Sequence, residues 1–152
     1  MLPNNNCFDF IKTKEGLELT AYQDSAGIWT IGYGTIIYED RTPVKKGDTI
    51  TQQRADQLIE NEISSKSAKV NAALGDIPVN QNQFNALVSF TYNVGTGALL
   101  SSTLLKRVKA NPANPKIRDA FMMWNKAHLN GKLIAVKGLT RRRAEEADLY
   151  FS

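Results

Sequence analysis

Glu15, Asp24 and Thr30 crowd into EGLELTAYQDSAGIWTIGYGT, residues 15–35, among glycines and aromatics. Glu15 stands at the expected C-terminal end of a first helix, beside Gly16. The negative pole of the helix dipole lies there, a setting suited to a proton donor. A solvated helix-end glutamate is the plainer alternative. Asp24 and Thr30 flank a turn centred near Gly27. If AYQD and WTIG pair as antiparallel strands, position 24 opposes position 30 on one face, with Cβ atoms about 4.5–5.5 Å apart. Alternation adds Gly32 and Gly34 to that face and turns Ile31 and Tyr33 away, clearing room beside the acid for a bulky substrate. An aspartate that merely opens a turn explains Asp24 and Gly27, but not the threonine with glycines on its face. Two carboxyls across a cleft, one protonated and one ionised, hydrolyse glycosidic bonds. The acid protonates the leaving oxygen, and the base activates a water that a hydroxyl such as Thr30 would hold. Room for that water sets the carboxyls about 6.5–9.5 Å apart, against about 5–5.5 Å where the second carboxylate attacks directly.

The elements around these residues are legible from period and caps. CFDFIKTKE predicts a short helix with Cys7, Phe8 and Ile11 on one face, an asparagine N-cap before it and Gly16 as its stop. Leu17 to about Tyr38 predicts strands. Thr51 caps a long helix striped by Ala55, Leu58, Ile59 and Ile63, extending to Leu74 ahead of Gly75 and Pro78. Asn80 with Gln83 forms a capping-box pattern before Phe84, Leu87, Val88 and Tyr92. Asn114-Pro115 opens a helix with Ile117, Ala120, Phe121 and Trp124. Asn130-Gly131 is a turn, and Thr140 caps a last helix, RRRAEEADLYF. The expected class is α+β: a small N-terminal β lobe over roughly 16–50 and a larger helical lobe over roughly 75–152. The N-terminal helix joins the helical lobe, the long helix links the two, and a cleft lies between them. One domain, 1–152, holds all of it.

Composition narrows the function classes. Hydrophobic residues are 42% and charged ones 22% of 152, as in an ordinary globular protein. No apolar run reaches the roughly 20 residues of a membrane span, and the N-terminus has no signal-peptide pattern. Cys7 and His128 are the only residues of their types. No disulfide, metal site or cofactor is therefore expected; Cys7 suits a buried small hydrophobe and His128 a surface or helix-end position. Residues 106–152 carry a net +7 and residues 1–105 a net −3, which favours a polyanionic partner for the C-terminal half. Nucleic acid is not expected, since no aromatic interleaving or binding motif accompanies the cations. The run Arg141-Arg142-Arg143 suits a solvated helix face.

Glu15, eight residues, Asp24, five residues, Thr30 and then TIGYG resemble the catalytic motif of the bacteriophage-type lysozymes, glycoside hydrolase family 24. The resemblance continues through ITQQRADQLI, QFNALVSFTYNVGTGALLSSTLLKRV and GLTRRRAEE. It implies an endolysin, a muramidase cutting the β-1,4 bond between N-acetylmuramic acid and N-acetylglucosamine in peptidoglycan. Glu15 is then the proton donor, Asp24 the carboxylate on the far face and Thr30 the water-holding hydroxyl, with Ile36, Tyr92 and Thr103 touching substrate. Asp24 acting as base, as electrostatic stabiliser or as nucleophile stays open. Many members carry histidine where this chain has Thr35, which implies loss of a pH-sensitive stabilising contact rather than of activity. The resemblance also implies a monomer made in the host cytoplasm that reaches the wall through a holin-type pore. Its basic half would meet anionic wall or outer-membrane polymers. The alternative is a non-catalytic peptidoglycan-binding protein on the same fold.

Overall fold

The computed structural model describes the whole chain, Met1–Ser152. Helix α1 spans Asn5–Lys12 and buries Cys7 and Ile11. Asn4 starts it, its side chain accepting from the Cys7 backbone N–H, which satisfies one of the helix's orphan donors. The helix ends earlier than expected. The N–H groups of Lys14 and Glu15 donate to the carbonyls of Ile11 and Lys12 at 3.0 and 3.1 Å. Residues 13–15 thus make a tight turn, and Glu15 lies just past the carbonyl end of α1.

Strand β1 (Glu18–Gln23) pairs antiparallel with β2 (Trp29–Gly32). Thr30 stands opposite Tyr22, which corrects the expected pairing of positions 24 and 30. The turn is the cause. The Asp24 N–H donates to Ile28 O and the Gly27 N–H to Asp24 O, both at 2.9 Å, with Gly27 at φ +79°. This is a three-residue loop closed by a left-handed glycine. Alternation still leaves Asp24 and Thr30 on one face, displaced along the ribbon by two residues.

The strand stops at Gly32, so the expected run of Thr30, Gly32 and Gly34 along one face is corrected too. Gly32 has φ +66°, and a Cβ on it would lie 3.3 Å from the Ala55 Cβ. Its lack of a side chain permits both the turn and the close approach to the next helix. The chain then folds back, Ile31 and Thr35 exchanging backbone hydrogen bonds of 2.9 and 2.8 Å.

Helix α2 (Gln52–Leu74) begins at Thr51, whose side chain accepts from the Arg54 N–H, and ends at Gly75 with φ +59°. Its buried stripe is Ala55, Leu58, Ile59, Ile63, Val70 and Leu74. It contacts β2 near its start and the following helices further on. Helix α3 (Gln81–Val94) opens with the expected reciprocal capping box of Asn80 and Gln83. Every residue from Phe84 to Thr91 is buried, making α3 the central helix on which α1, α2 and the last helix pack. Two short helices follow, α4 (Thr96–Ser101) and α5 (Thr103–Ala110). Helix α6 (Ile117–Met122) starts two residues beyond Pro115. Asn114 spends its side chain on the Lys116 N–H at 2.9 Å, closing a turn ahead of the helix rather than capping it. Phe90 meets Phe121 and Trp124 edge to face, with centroids 5.8 and 5.9 Å apart, the favoured aromatic geometry.

Asn130-Gly131 joins two further strands, β3 (Lys126–Leu129) and β4 (Lys132–Ala135). The β structure is therefore not confined to the N-terminal lobe. Helix α7 (Lys137–Tyr150) starts before Thr140. Thr140 lies inside the helix, its hydroxyl donating back to Val136 O at 3.0 Å. The architecture is α+β, with no helix long and apolar enough to cross a membrane.

Candidate active site

Where the β1–β2 lobe meets α2 and α3, a cleft of about 540 Å³ opens. Glu15, Ile36, Glu62, Lys66, Tyr92 and Asn93 are on its walls. Of the six residues singled out in the sequence, Glu15, Ile36 and Tyr92 line it. Asp24 and Thr30 sit on the β1–β2 hairpin outside this lining. Thr103 is the first residue of α5 and also lies outside it.

Glu15 is held from the far end of the chain. Arg142 Nη1 donates to its Oε1 at 3.0 Å, and only a quarter of the Glu15 side chain is exposed. The carbonyl end of α1 and the guanidinium act on this carboxyl with opposite sign. Arg142 and Arg143 are buried at 8% and 0% exposure, which corrects the expected solvated face for the arginine run; Arg141 alone is exposed there. Both guanidiniums face Glu146, itself fully buried. Arg143 Nε lies 2.8 Å from Glu146 Oε1, and Arg142 Nε lies 3.5 Å from Oε2. The Ser89 hydroxyl donates to Oε2 at 2.6 Å. Arg143 also donates to Asn93 Oδ1 at 2.8 Å and packs over Phe90. Burial nevertheless pushes the Glu146 carboxyl above its ordinary range, opposed by both arginines and Ser89. The Arg142/Glu146 and Arg143/Glu146 spacings, four and three residues, were the available sequence signal.

Asp24 is oriented by its own turn. Its Oδ1 accepts from the N–H groups of Ala26 and Ile28 at 2.8 and 2.9 Å, while Oδ2 makes no hydrogen bond within the protein. The turn-opening reading holds for Oδ1. Thr30 is 4% exposed, and its hydroxyl donates to Ile28 O at 2.9 Å. With its hydrogen committed, the Thr30 oxygen can only accept, which suits it to receive a proton-bearing group such as water.

Glu62, on α2, escaped sequence reasoning. Burial raises its carboxyl above the usual glutamate range. The facing hydroxyls of Thr35 and Tyr92 and the Lys66 cation hold it down in part, and Glu15 adds to the rise. Thr35 is 2% exposed, so the position expected to carry histidine in relatives is a buried hydroxyl turned to a carboxyl here. Burial, with Glu62 and Glu15 nearby, keeps the Tyr92 phenol well above its ordinary value, hence a donor at working pH. Cys7 is buried and its thiol pushed up to about 12, leaving it no nucleophilic character. His128 is exposed on β3.

A two-lobed α+β fold with carboxyl groups at and beside a cleft is compatible with glycosidic-bond hydrolysis. Residues 12–146 match the family model described as Phage lysozyme. The endolysin of Acyrthosiphon pisum secondary endosymbiont phage 1 is 38% identical, covering 93% of this chain and 92% of that protein. The solved endolysin from Escherichia coli O157:H7 phage FAHEc1 superposes with TM-score 0.92 at 45% identity, over 99% and 93% of the two chains. A P22 lysozyme mutant superposes with TM-score 0.82 at 32% identity, over 100% and 99%. The chain belongs to the phage lysozyme family and is a peptidoglycan-lysing hydrolase of the endolysin type.

Proposed function

We propose that the 152-residue chain acts as one catalytic domain that cuts the β-1,4 bond from N-acetylmuramic acid to N-acetylglucosamine. Glu15 gives its proton to the glycosidic oxygen as the bond to the anomeric carbon breaks. A water accepted by Asp24 Oδ2 and held against the Thr30 oxygen adds to that carbon from the opposite face, and its proton passes to Asp24. The observation that carries this reading is the division of labour at Asp24. One oxygen is fixed by two backbone N–H groups, and the other is left for water. Ile36 and Tyr92 supply apolar and donor contacts along the cleft; Thr103, outside its lining, is given no part. The enzyme meets the wall after passing the inner membrane through a holin-type pore. Its basic C-terminal half associates with anionic polymers of the envelope.

Purified protein added to permeabilised Gram-negative cells should clear the suspension. Glu15→Gln should lower clearing by about 100-fold or more while keeping the parental melting temperature within a few degrees. Thr30→Val, which keeps the shape and removes the oxygen, should also slow clearing. Clearing by the Gln variant at the parental rate would overturn the acid assignment. A parent that binds walls without releasing sugar would make this a non-catalytic binding protein.

A further inference from the structure

No residue of the β3–β4 hairpin lines the cleft, and its surface is unusual. Its strands are tied to each other, and no other helix or strand packs closely on them. Asn130 and Gly131 take φ +52° and +77°, the two-residue turn matched to strand twist. Register puts Lys126, His128, Leu133 and Ala135 on one face, and Ala127, Leu129, Lys132 and Ile134 on the other. Leu129, Leu133 and Ile134 are 50%, 58% and 43% exposed. A lone hairpin is marginal in water, so these aliphatic side chains gain little from folding as they stand.

The charge there is one-sided. Residues 125–141 contain Lys126, Lys132, Lys137 and Arg141 and no aspartate or glutamate. None of the four is ion-paired, whereas Lys12, Lys14, Arg54, Arg118, Arg142 and Arg143 are. Lys137 and Arg141, with Val136 and Thr140, line a shallow hollow at the hairpin's foot.

We propose that this hairpin and the first turn of α7 form a docking site for an anionic phospholipid bilayer. The tip enters the headgroup–acyl boundary with Leu129, Leu133 and Ile134, and the four cations meet lipid phosphates. A polyanion alone would neutralise the cations but leave the aliphatic groups in water. A protein partner would cover one face of a two-stranded ribbon. A bilayer interface surrounds a tip on both faces, and lysine stems span the distance between apolar and charged zones. None of these residues lines the cleft that holds Glu15, and the proposal does not depend on the hydrolytic mechanism.

Sedimentation of the full chain with vesicles tests this. The parent should partition onto phosphatidylglycerol–phosphatidylcholine vesicles at low salt and not onto phosphatidylcholine alone. Glu15→Gln should bind as the parent does, which separates this proposal from the muramidase reading. Lys126→Gln with Lys132→Gln should cut partitioning about 25-fold, at roughly five-fold per cation. Leu129→Ser with Leu133→Ser should cut it about ten-fold or more at unchanged charge. Both double variants should keep the parental melting temperature, and the serine variant should clear isolated sacculi at the parental rate. Parental binding by the serine variant, equal binding to neutral vesicles, or binding to sacculi with none to vesicles would each overturn the proposal.

Discussion

At the scale of single residues, the chemistry depends on which atoms are already committed. Asp24 spends one oxygen, on two N–H groups, and Thr30 its hydroxyl hydrogen on their own hairpin, and each keeps an oxygen free to accept. Glu62 is different, because burial holds its carboxyl above the range it has in an unfolded chain. The folded protein therefore binds more protons at this site than the unfolded one, and its contribution to stability declines as pH rises from the unfolded value through the folded one. Glu62→Gln should raise the melting temperature at pH 7 more than at pH 4, followed by thermal unfolding across that range; equal shifts would contradict the burial of this group. Glu15, Asp24 and Thr30 drew notice in the sequence because acids and a hydroxyl among glycines match no helix or strand preference; of the three, Glu15 lines the cleft. Glu62 was not, since a glutamate four residues from Lys66 on a polar helix stretch is indistinguishable from solvated surface until Thr35 and Tyr92 are seen against it.

At the scale of elements, strong local signals carried through and weak ones did not. Helix α2 followed from Thr51, an apolar stripe and Gly75, and α3 from its capping box, because each signal satisfies end groups that water would otherwise have to satisfy. The β3–β4 hairpin left only its turn in the sequence. Strands exposed on both faces have no alternation of apolar and polar residues to detect. The register of β1 and β2 was missed by two residues because Gly27 is the last residue of the turn rather than its centre, so that Asp24 pairs with Ile28. Gly32 marks where the hairpin presses on α2. Gly32→Ala should cost about 1–3 kcal/mol, from the left-handed backbone and the 3.3 Å approach to Ala55. Urea unfolding would measure it, and an unchanged midpoint would show that β2 does not need this contact.

At the scale of the whole molecule, Glu146 connects the central helix to the last one. Ser89 on α3 and both arginines on α7 converge on its carboxylate, and Arg142 continues to Glu15. Glu146→Ala would leave the buried Arg143 without its counter-charge and Arg142 with Glu15 alone. A loss of about 3–5 kcal/mol is expected, read by chemical denaturation, with clearing activity falling in parallel as Arg142 loses its anchor. The arginine run was misjudged in the sequence because three adjacent cations suit a solvated helix, and only the fold reveals that two of them turn inward.

The link between Glu15 and Arg142 spans 127 positions. A ribosome emits the chain from its N-terminus, and domains tend to settle in that order. The hairpin and its acids emerge early, yet the partner that steadies Glu15 leaves the tunnel among the last residues. The finished active centre is thus a late event in synthesis. A product broken off before α7 would carry every proposed reacting group and still lack the clamp that positions the first of them.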